Sequence, residues 1–503
     1  MKEVIGYIVG ETTTTEVSFI SNKVPEVGSY VSIEYPNGKE VLGMVEGVVQ
    51  NCPIFKEVLN VEDILKLRTL EKDDSYQVIG KIKILGDVEE KEIPKIPPKP
   101  GTEVYSASDE VLKRMFSQGH IEIGKLLSKD VPVKLNANML CSRHLAILAI
   151  TGMGKSNTVA VLLSELNKLN ATVLVFDIHG EYRHIESYDP DNRLRVNILE
   201  PKINVYNISS DSLADLAGVD VAATKQRPYI RKAIDKVKKG DNGEKKIRRE
   251  SDFSSVEEYI GDIINTLDNL SEEYSRDYNS IQTAKFRLED MLKFKRHLIT
   301  LHYNPVEKIR ENHINIIPLE GLDENDMDVF ISYMAREILA DRKRALREGY
   351  PKPIFIVLEE AHLIIPKNRT TRSKLYISRI AREGRKFGVG LCLVSQRPKT
   401  LDPEALSQCN NLIISKLIEP HDQQHVQQAS ESLSEDLLKQ LPGLNVGEAI
   451  IIGPALNIPA LVKINKFNGR YGGEDLDIVE IWKKSHREKI RGEEPLGDYE
   501  GLD

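Results

Sequence analysis

Cysteine is scarce in this sequence. Cys52, Cys141, Cys392 and Cys409 are the only four in 503 residues, far apart and without a CxxC pair. That spacing argues against a zinc site built on clustered thiolates and against a disulfide framework. Long apolar runs are absent: none approaches the roughly 18 residues of a membrane span, and the opening MKEVIGYIVG lacks the apolar stretch of a secretory signal. The expectation is a soluble, cytoplasmic protein without membrane contact. Charge of one sign is not in large excess either. Lysine and arginine total 69 against 77 acidic residues, a net charge of −8. The surface as a whole therefore does not attract nucleic acid indiscriminately, although a locally positive channel stays open. No internal repeat is found. What is present is a globular balance, 40% hydrophobic and 29% charged, in a chain long enough for about three domains.

Residues 1–92 read as short strands. YVSIEY at 30–35 alternates in polarity, Asn37-Gly38 offers a tight hairpin turn, the chain returns over 41–49, and YQVIGKIKIL at 76–85 alternates again. Closely spaced strands with little room for helices favour a small barrel. Residues 93–119 read as a linker, because the proline-rich PKIPPKPG at 94–101 holds neither a ladder nor a helix. Over 120–209 and 311–465 the pattern becomes strands that are apolar almost throughout, each followed by a helix: HLAILAI (144–150), TVLVF (172–176), IFIVL (354–358), VGLCLV (389–394) and residues 412–414. Strands without polar alternation are buried on both faces, the mark of an α/β fold with a parallel sheet between helices. Residues 210–310 carry helical signals instead. Ser254-Ser255 with Glu257-Glu258 gives overlapping capping boxes, and Ile281, Ala284, Leu288, Met291 and Leu292 form an apolar stripe. A helical insertion is expected there, with the charged loop 238–250 exposed and mobile. Residues 466–503 remain as a C-terminal tail.

Chemistry concentrates in three places. The first is AITGMGKS at 149–156, between a strand and a helix. A phosphate needs backbone N–H groups pointing inward, a helix N-terminus behind it and a cation over it. Gly152 and Gly154 allow close backbone approach, Lys155 would reach the β- and γ-phosphates, Ser156 would ligate Mg²⁺, and Thr151, Met153 and Asn157 complete the candidate loop. The first glycine of the consensus is replaced by Ala149. A plain glycine turn is the bland alternative, weakened by the strand–loop–helix context.

The second is FIVLEEAH at 355–362, which leaves two carboxylates at the end of a buried strand, where α/β sheets bind ligands. Glu359 stands where Mg²⁺ is supported, usually by aspartate, and its extra methylene suggests contact through a metal-bound water. Glu360 stands where the attacking water is polarised. The third is a run of Arg379, Arg382, Arg385 and Lys386, followed by a strand and Ser395-Gln396-Arg397-Pro398. Arginines three apart share a helical face and are commonly just solvated. The functional alternative is an arginine finger for a transferring γ-phosphate, with Gln396 sensing that phosphate or holding the water. Asp177 and Glu181, in FDIHGEY, are either caps or supports for the same edge.

Together RHLAILAITGMGKSNT, VLVFDIHGEY, FIVLEEAH and IAREGRKFGVGLCLVSQRP resemble archaeal HerA, of the FtsK–HerA branch of P-loop motor ATPases, and the N-terminal strands with IGYIVGETTTTEVSFIS resemble that family's HAS barrel. The resemblance covers essentially the whole chain. It implies a RecA-like P-loop NTPase core, an N-terminal small β-barrel and a homohexameric ring. The activity implied is a helicase that uses ATP and Mg²⁺ to translocate on or unwind double-stranded DNA during end resection in double-strand-break repair. A NurA-type nuclease and repair proteins of the Mre11–Rad50 type are the implied partners, at the nucleoid. Carried over by motif, Lys155 and Ser156 bind nucleotide, Glu360 is catalytic and Arg385 is the trans-acting finger. Arg143 contributes to nucleotide sensing, and Arg382 is one turn from Arg385 and an alternative to it.

Three rivals are weighed. A two-lobed monomeric helicase needs its nucleotide motifs roughly a hundred residues apart and a second lobe, whereas Lys155 and Glu360 are 205 apart and only one phosphate loop exists. A secretion or conjugation motor shares the ATPase core, but the barrel and the missing membrane segments count against it. An ATP-gated DNA-binding ring would use nucleotide only as a structural ligand, and Glu360 counts against that.

Overall fold

The structure, a computed structural model, describes residues 3–52, 60–68, 76–220, 222–239, 248–430, 433–456, 458–472, 478–479 and 482–483. Alternation in the first hundred residues produces β1 (Val4–Thr12), β2 (Glu16–Ser21), β3 (Tyr30–Glu34), β4 (Glu40–Asn51) and β5 (Gln77–Asp87), with helix α1 (Val61–Arg68) ahead of β5. Inward side chains, among them Ile8, Val17, Phe19, Ile33, Val45 and Ile82, fill a core of their own. Gly80 leaves the room that the fully buried Phe19 ring takes up, and a Cβ there would collide with it.

The expected linker is corrected here. Residues 93–101 run without strand or helix, but β6 (Glu103–Ser106) then enters between β1 and β3 and closes the barrel in the order β1-β2-β5-β4-β3-β6. Helix α2 (Asp109–Phe116) follows, capped by Ser108. Four residues are too few for alternation to show, and both partners of β6 are distant in sequence. The barrel's outer face carries an unusual row. Tyr7 pairs with Ile20, Ile20 with Ile79 and Ile79 with Val49 across β1, β2, β5 and β4. These four apolar side chains are 43, 37, 37 and 64% exposed.

The second body is one sheet of eleven strands among the described residues. In chain order it takes in β7 (Ile121–Leu126), β8 (Pro132–Leu135), helix α3 (Ala137–Arg143), β9 (Leu145–Leu148), helix α4 (Lys155–Lys168) and β10 (Val173–Asp177). Next come β11 (Glu186–Ser187), outside the large sheet, β12 (Val196–Ile198), and β13 (Ile203–Asn204), which pairs with a distant strand. The insertion then supplies α5 (Ser210–Leu216), α6 (Gln226–Lys239), α7 (Val256–Glu273) and α8 (Tyr278–Phe294). Ser255 caps α7, and Ile281, Ala284, Leu288 and Met291 are buried as the stripe predicts. Residues 240–247 of the charged loop lie outside the described residues.

β14 (Ile299–Thr300) pairs with β13, and β15 (Ile314–Pro318), helix α9 (Glu324–Arg347), β16 (Ile354–Leu358), α10 (Ala361–Ile364) and α11 (Arg372–Glu383) return to the sheet. The chain ends with β17 (Val389–Ser395), α12 (Pro403–Gln408), β18 (Asn411–Ile414), α13 (Pro420–Ala429), α14 (Glu435–Gln440), β19 (Glu448–Ile452), β20 (Ala460–Ile464) and β21 (Gly469–Arg470). Spatial order is β12-β15-β10-β16-β17-β9-β18-β19-β20-β7-β8. The first seven run parallel, and the last four add an antiparallel flank that apolar periodicity did not reveal. The early part of the expected tail is also structured: β21 pairs with β11, and Gly472 donates its N–H to the carbonyl of Glu181.

Candidate active site

β9 lies between β17 and β18, and β17 separates it from β16. The loops leaving β9, β16 and β17 therefore open on the same carboxyl edge of the sheet, the edge where such folds bind ligands. In the loop after β9, Gly152 and Gly154 have φ of +79° and +93°, the left-handed backbone that glycine tolerates. A side chain at Gly152 would meet nothing within 4 Å, so the loop is open in front. Ala149 is not among the positive-φ residues, which is why alanine serves at the first consensus position. Gly154 caps the 14-residue α4 without any side-chain hydrogen bond, leaving that helix N-terminus free to meet an anion.

Lys155, 7% exposed, is the first residue of α4, and its ammonium is hydrogen-bonded to Glu360 Oε1. Gln396 Nε2 donates to the same oxygen at 2.6 Å, and its Oε1 accepts from the Thr151 hydroxyl at 2.5 Å. A chain of contacts thus runs Thr151, Gln396, Glu360, Lys155. His362 Nδ1 stands 3.2 Å from Glu360 Oε2 without hydrogen-bond geometry, so that buried oxygen has no hydrogen-bond partner. Glu360 has φ +39°, a left-handed backbone rarely held by a residue with a side chain. The turn sends its carboxylate one way and that of Glu359 the other. Burial alone would raise the Glu360 carboxyl, but His362 and Lys155 outweigh it and hold it at about 2.

Glu359 is fully buried. Tyr182 donates its hydroxyl to Oε1 at 2.9 Å, while Oε2 has no partner. Burial pushes this carboxyl up to about 8, and Glu181 and Asp177 add to the rise against the pull of Lys155. Two adjacent carboxylates are thus driven to opposite protonation states by their surroundings. Asp177 acts as a cap, accepting the N–H groups of Glu181 and Tyr182 at 2.9 and 2.8 Å. Sequence reasoning passed over Tyr182, although it stands inside the FDIHGEY motif that drew attention to its neighbours.

Three expected site residues are elsewhere, and one is otherwise occupied. Asn157 binds the backbone of the C-terminal segment, donating to the Asn465 carbonyl at 2.8 Å and accepting the Phe467 N–H at 2.9 Å. Its amide clamps α4 rather than facing the loop. Arg143, at the end of α3, and Arg385, in the single turn Gly384–Phe387, lie at the amino edge of β9 and β17. His144 holds these segments side by side: Nδ1 accepts the Leu391 N–H at 3.1 Å, and Nε2 is 2.9 Å from the Ala381 carbonyl. From there the whole of β17, seven residues or roughly 23 Å, separates Arg385 from its own phosphate loop. Arg382 is paired with Glu404 at 2.7 Å, whereas Arg143 and Arg385 are exposed and unpaired among the described residues.

The free helix N-terminus, the open loop and the buried ammonium can receive phosphate groups. The partnerless oxygens of Glu359 and Glu360, with Ser156 in the first turn of α4, suit a hydrated divalent cation and a polarised water.

Known proteins bear on this geometry. Residues 121–338 match the family described as Helicase HerA, central domain, and residues 5–90 match the HAS barrel domain. The chain is 59% identical to a probable helicase of Methanocaldococcus jannaschii, over 96% of this chain and 94% of that protein. It is 40% identical to the DNA double-strand break repair helicase HerA of Saccharolobus solfataricus, over 97% of each. With the protein of the same name from Pyrococcus furiosus it shares 34% identity, over 97% and 98%. Among solved structures, VirB4 of Thermoanaerobacter pseudethanolicus is 13% identical with a TM-score of 0.50, covering 69% of this chain and 96% of that one, a likeness of fold.

The raised Glu359 carboxyl has a measurable consequence. Between the ordinary glutamate value of about 4.3 and its folded value of about 8, the unfolded chain releases this proton while the folded protein keeps it. Stability therefore falls as pH rises through that window. Glu359→Gln removes the penalty, so thermal melts of nucleotide-free protein should show the variant gaining on the wild type from pH 5 to pH 8, by on the order of a few kcal/mol. Parallel pH profiles for the two proteins would contradict the assignment.

Proposed function

The chain belongs to the HerA family of helicases, and on that premise we propose that it is an ATP-driven motor on double-stranded DNA, working with a nuclease in the end resection of double-strand-break repair. The observation that carries this reading is the meeting of a free helix N-terminus, Lys155, Glu360 and Gln396 on one sheet edge, in a chain aligned end to end with relatives named as DNA double-strand break repair helicases.

In this reading the N–H groups of residues 152–156 and the Lys155 ammonium take the β- and γ-phosphates of ATP. Lys155 then leaves Glu360 for the phosphates, and the ionised Glu360 polarises the attacking water. Gln396, bonded to both Thr151 and Glu360, links the state of the phosphate loop to the position of that carboxylate. Mg²⁺, held by Ser156 and through a bound water by Glu359, would neutralise charge on the phosphates. Glu360 also separates this reading from an ATP-gated ring, since a structural nucleotide needs no ionised base. The barrel and the full-length similarity to HerA relatives favour DNA repair over a secretion motor.

Arg385, with Arg143 beside it, completes the site of a neighbouring subunit. What supports this is its distance from its own phosphate loop, its lack of a partner, and the engagement of Arg382 by Glu404. A head-to-tail contact in a closed ring brings one subunit's amino edge to the next subunit's carboxyl edge. Six subunits is the ring order implied by the family. The nuclease docks on the barrel, where the exposed row of Tyr7, Ile20, Ile79 and Val49 offers an apolar face.

Lys155→Ala should lose ATP turnover and leave the fold intact, and Glu360→Gln should bind ATP yet stall before cleavage. Native turnover in either variant contradicts these roles, as read by phosphate release and nucleotide-analogue binding. Mixing Arg385→Ala with Lys155→Ala subunits, each inactive alone, should restore part of the ATPase activity, because some interfaces then hold an intact loop and an intact finger. No recovery in demonstrably mixed rings would refute action across the boundary. On the barrel, Ile79→Glu with Val49→Glu should abolish co-elution with the nuclease while the far-ultraviolet spectrum and ATP binding stay unchanged. Undiminished co-elution would move the docking face elsewhere.

A further inference from the structure

Beyond the phosphate loop, the same carboxyl edge carries a cavity whose lining residues all carry polar groups. Three segments enclose about 530 Å³: Lys367 and Asn368 after α10, Lys399 and Thr400 after β17, and the start and one face of α13. On α13, His421, Gln424, His425 and Gln428 follow at three- and four-residue steps, which aligns them on a single helical face. Every residue that lines this space ends in a polar or charged group, which suits a hydrated, charged ligand.

Its unmet groups indicate the sign of that charge. His425 is 7% exposed with no partner on Nε2, and burial together with Lys367 holds its imidazole below the usual value and neutral, so the lysine and not the imidazole sets the sign. Lys367 has no carboxylate partner among the described residues, and neither do Arg397 and Lys416, in the loops leaving β17 and β18. The acidic groups at the rim are already engaged: Glu419 is paired with Lys399 at 2.5 and 2.6 Å, and Asp422 accepts the Lys399 N–H at 2.9 Å. A chain of net charge −8 thus gathers unpaired cations and free amide donors at this one edge. Their spread over three loops matches an extended run of phosphates better than a single ion, and phosphate contacts carry no base preference.

We infer that this cavity is a contact for the backbone phosphates of duplex DNA, with Lys367, Gln424 and Gln428 as direct donors. The inference rests on the reading of the protein as a DNA motor, and it adds a mechanical link. Lys399 is only three residues beyond Gln396, the residue that hydrogen-bonds Glu360. DNA drawn against this cavity therefore bears on the segment that positions the hydrolytic carboxylate.

The test is the triple variant Lys367→Ala, Gln424→Ala, Gln428→Ala in the full chain; all three side chains are exposed, so folding is spared. Fluorescence anisotropy with a short duplex over a salt series should show affinity falling about tenfold or more. The slope of log affinity against log salt should flatten by about 0.9 for each phosphate that the variant no longer neutralises. Turnover without DNA should stay at the wild-type rate while stimulation by DNA disappears, and Lys367→Arg alone should retain binding. Unchanged affinity and slope in the triple variant would overturn the inference. So would inorganic phosphate shifting the His425 imidazole resonance when duplex DNA does not, which marks a free-anion pocket. A wild-type protein that binds no duplex at all would defeat the motor reading and the cavity's role together, whereas a wild type that binds no better than the variant defeats the cavity alone.

Discussion

The buried contact between the Lys155 ammonium and the Glu360 carboxylate is the interaction on which the rest of the site depends. Either group alone would be an uncompensated charge out of water, and breaking such a pair typically costs about 3–5 kcal/mol. The fold meets that demand from three sides. α4 begins at Lys155, the left-handed turn at Glu360 swings its carboxylate inward, and β17 brings Gln396 to the same carboxylate oxygen as a neutral donor. A phosphate offers Lys155 a competing anion at the end of a free helix N-terminus, so the pair is stable without ligand and exchangeable with it.

The same backbone turn explains why neighbouring glutamates differ. Glu360 faces a cation, an amide and an imidazole, and stays ionised. Glu359 faces a tyrosine hydroxyl and two further carboxylates in a dry interior, and holds its proton. One left-handed residue thus turns a repeated amino acid into two chemically distinct groups.

Sheet polarity and barrel docking extend this arrangement outward. The parallel strands put the loops after β9, β16 and β17 on one edge and Arg143 with Arg385 on the other, so these groups do not meet within a single chain. The barrel is joined to the core by Tyr30 against Phe116 at 4.9 Å, and by polar contacts of Lys81 and Glu46 with Asp436 and Ser434 at α14. From α14 the chain runs to Gly447, whose N–H meets the Met153 carbonyl in the phosphate loop. The barrel is therefore connected to the loop after β9 through a short stretch of packed structure.

Residue order alone establishes the fold class and names most of the residues that the structure gathers at the carboxyl edge. Unbroken apolar runs mark the parallel strands, the glycines and lysine at 152–155 mark the loop, and Glu359-Glu360 marks the end of β16, because each signal is local to a few consecutive residues. Family resemblance adds the implication that the arginine finger acts between subunits. Everything that depends on distant pairing had to wait for the folded chain. Folding closes the barrel with four residues from the expected linker, adds the antiparallel flank, gives Asn157 a clamping role and brings Tyr182 to Glu359. It also splits two adjacent carboxylates by protonation and puts the unpaired Lys367 beside His425. The physical reason is common to all of these. Burial, charge environment and strand neighbours are properties of what comes together across the fold, and a local pattern of residue types carries no record of its distant partners.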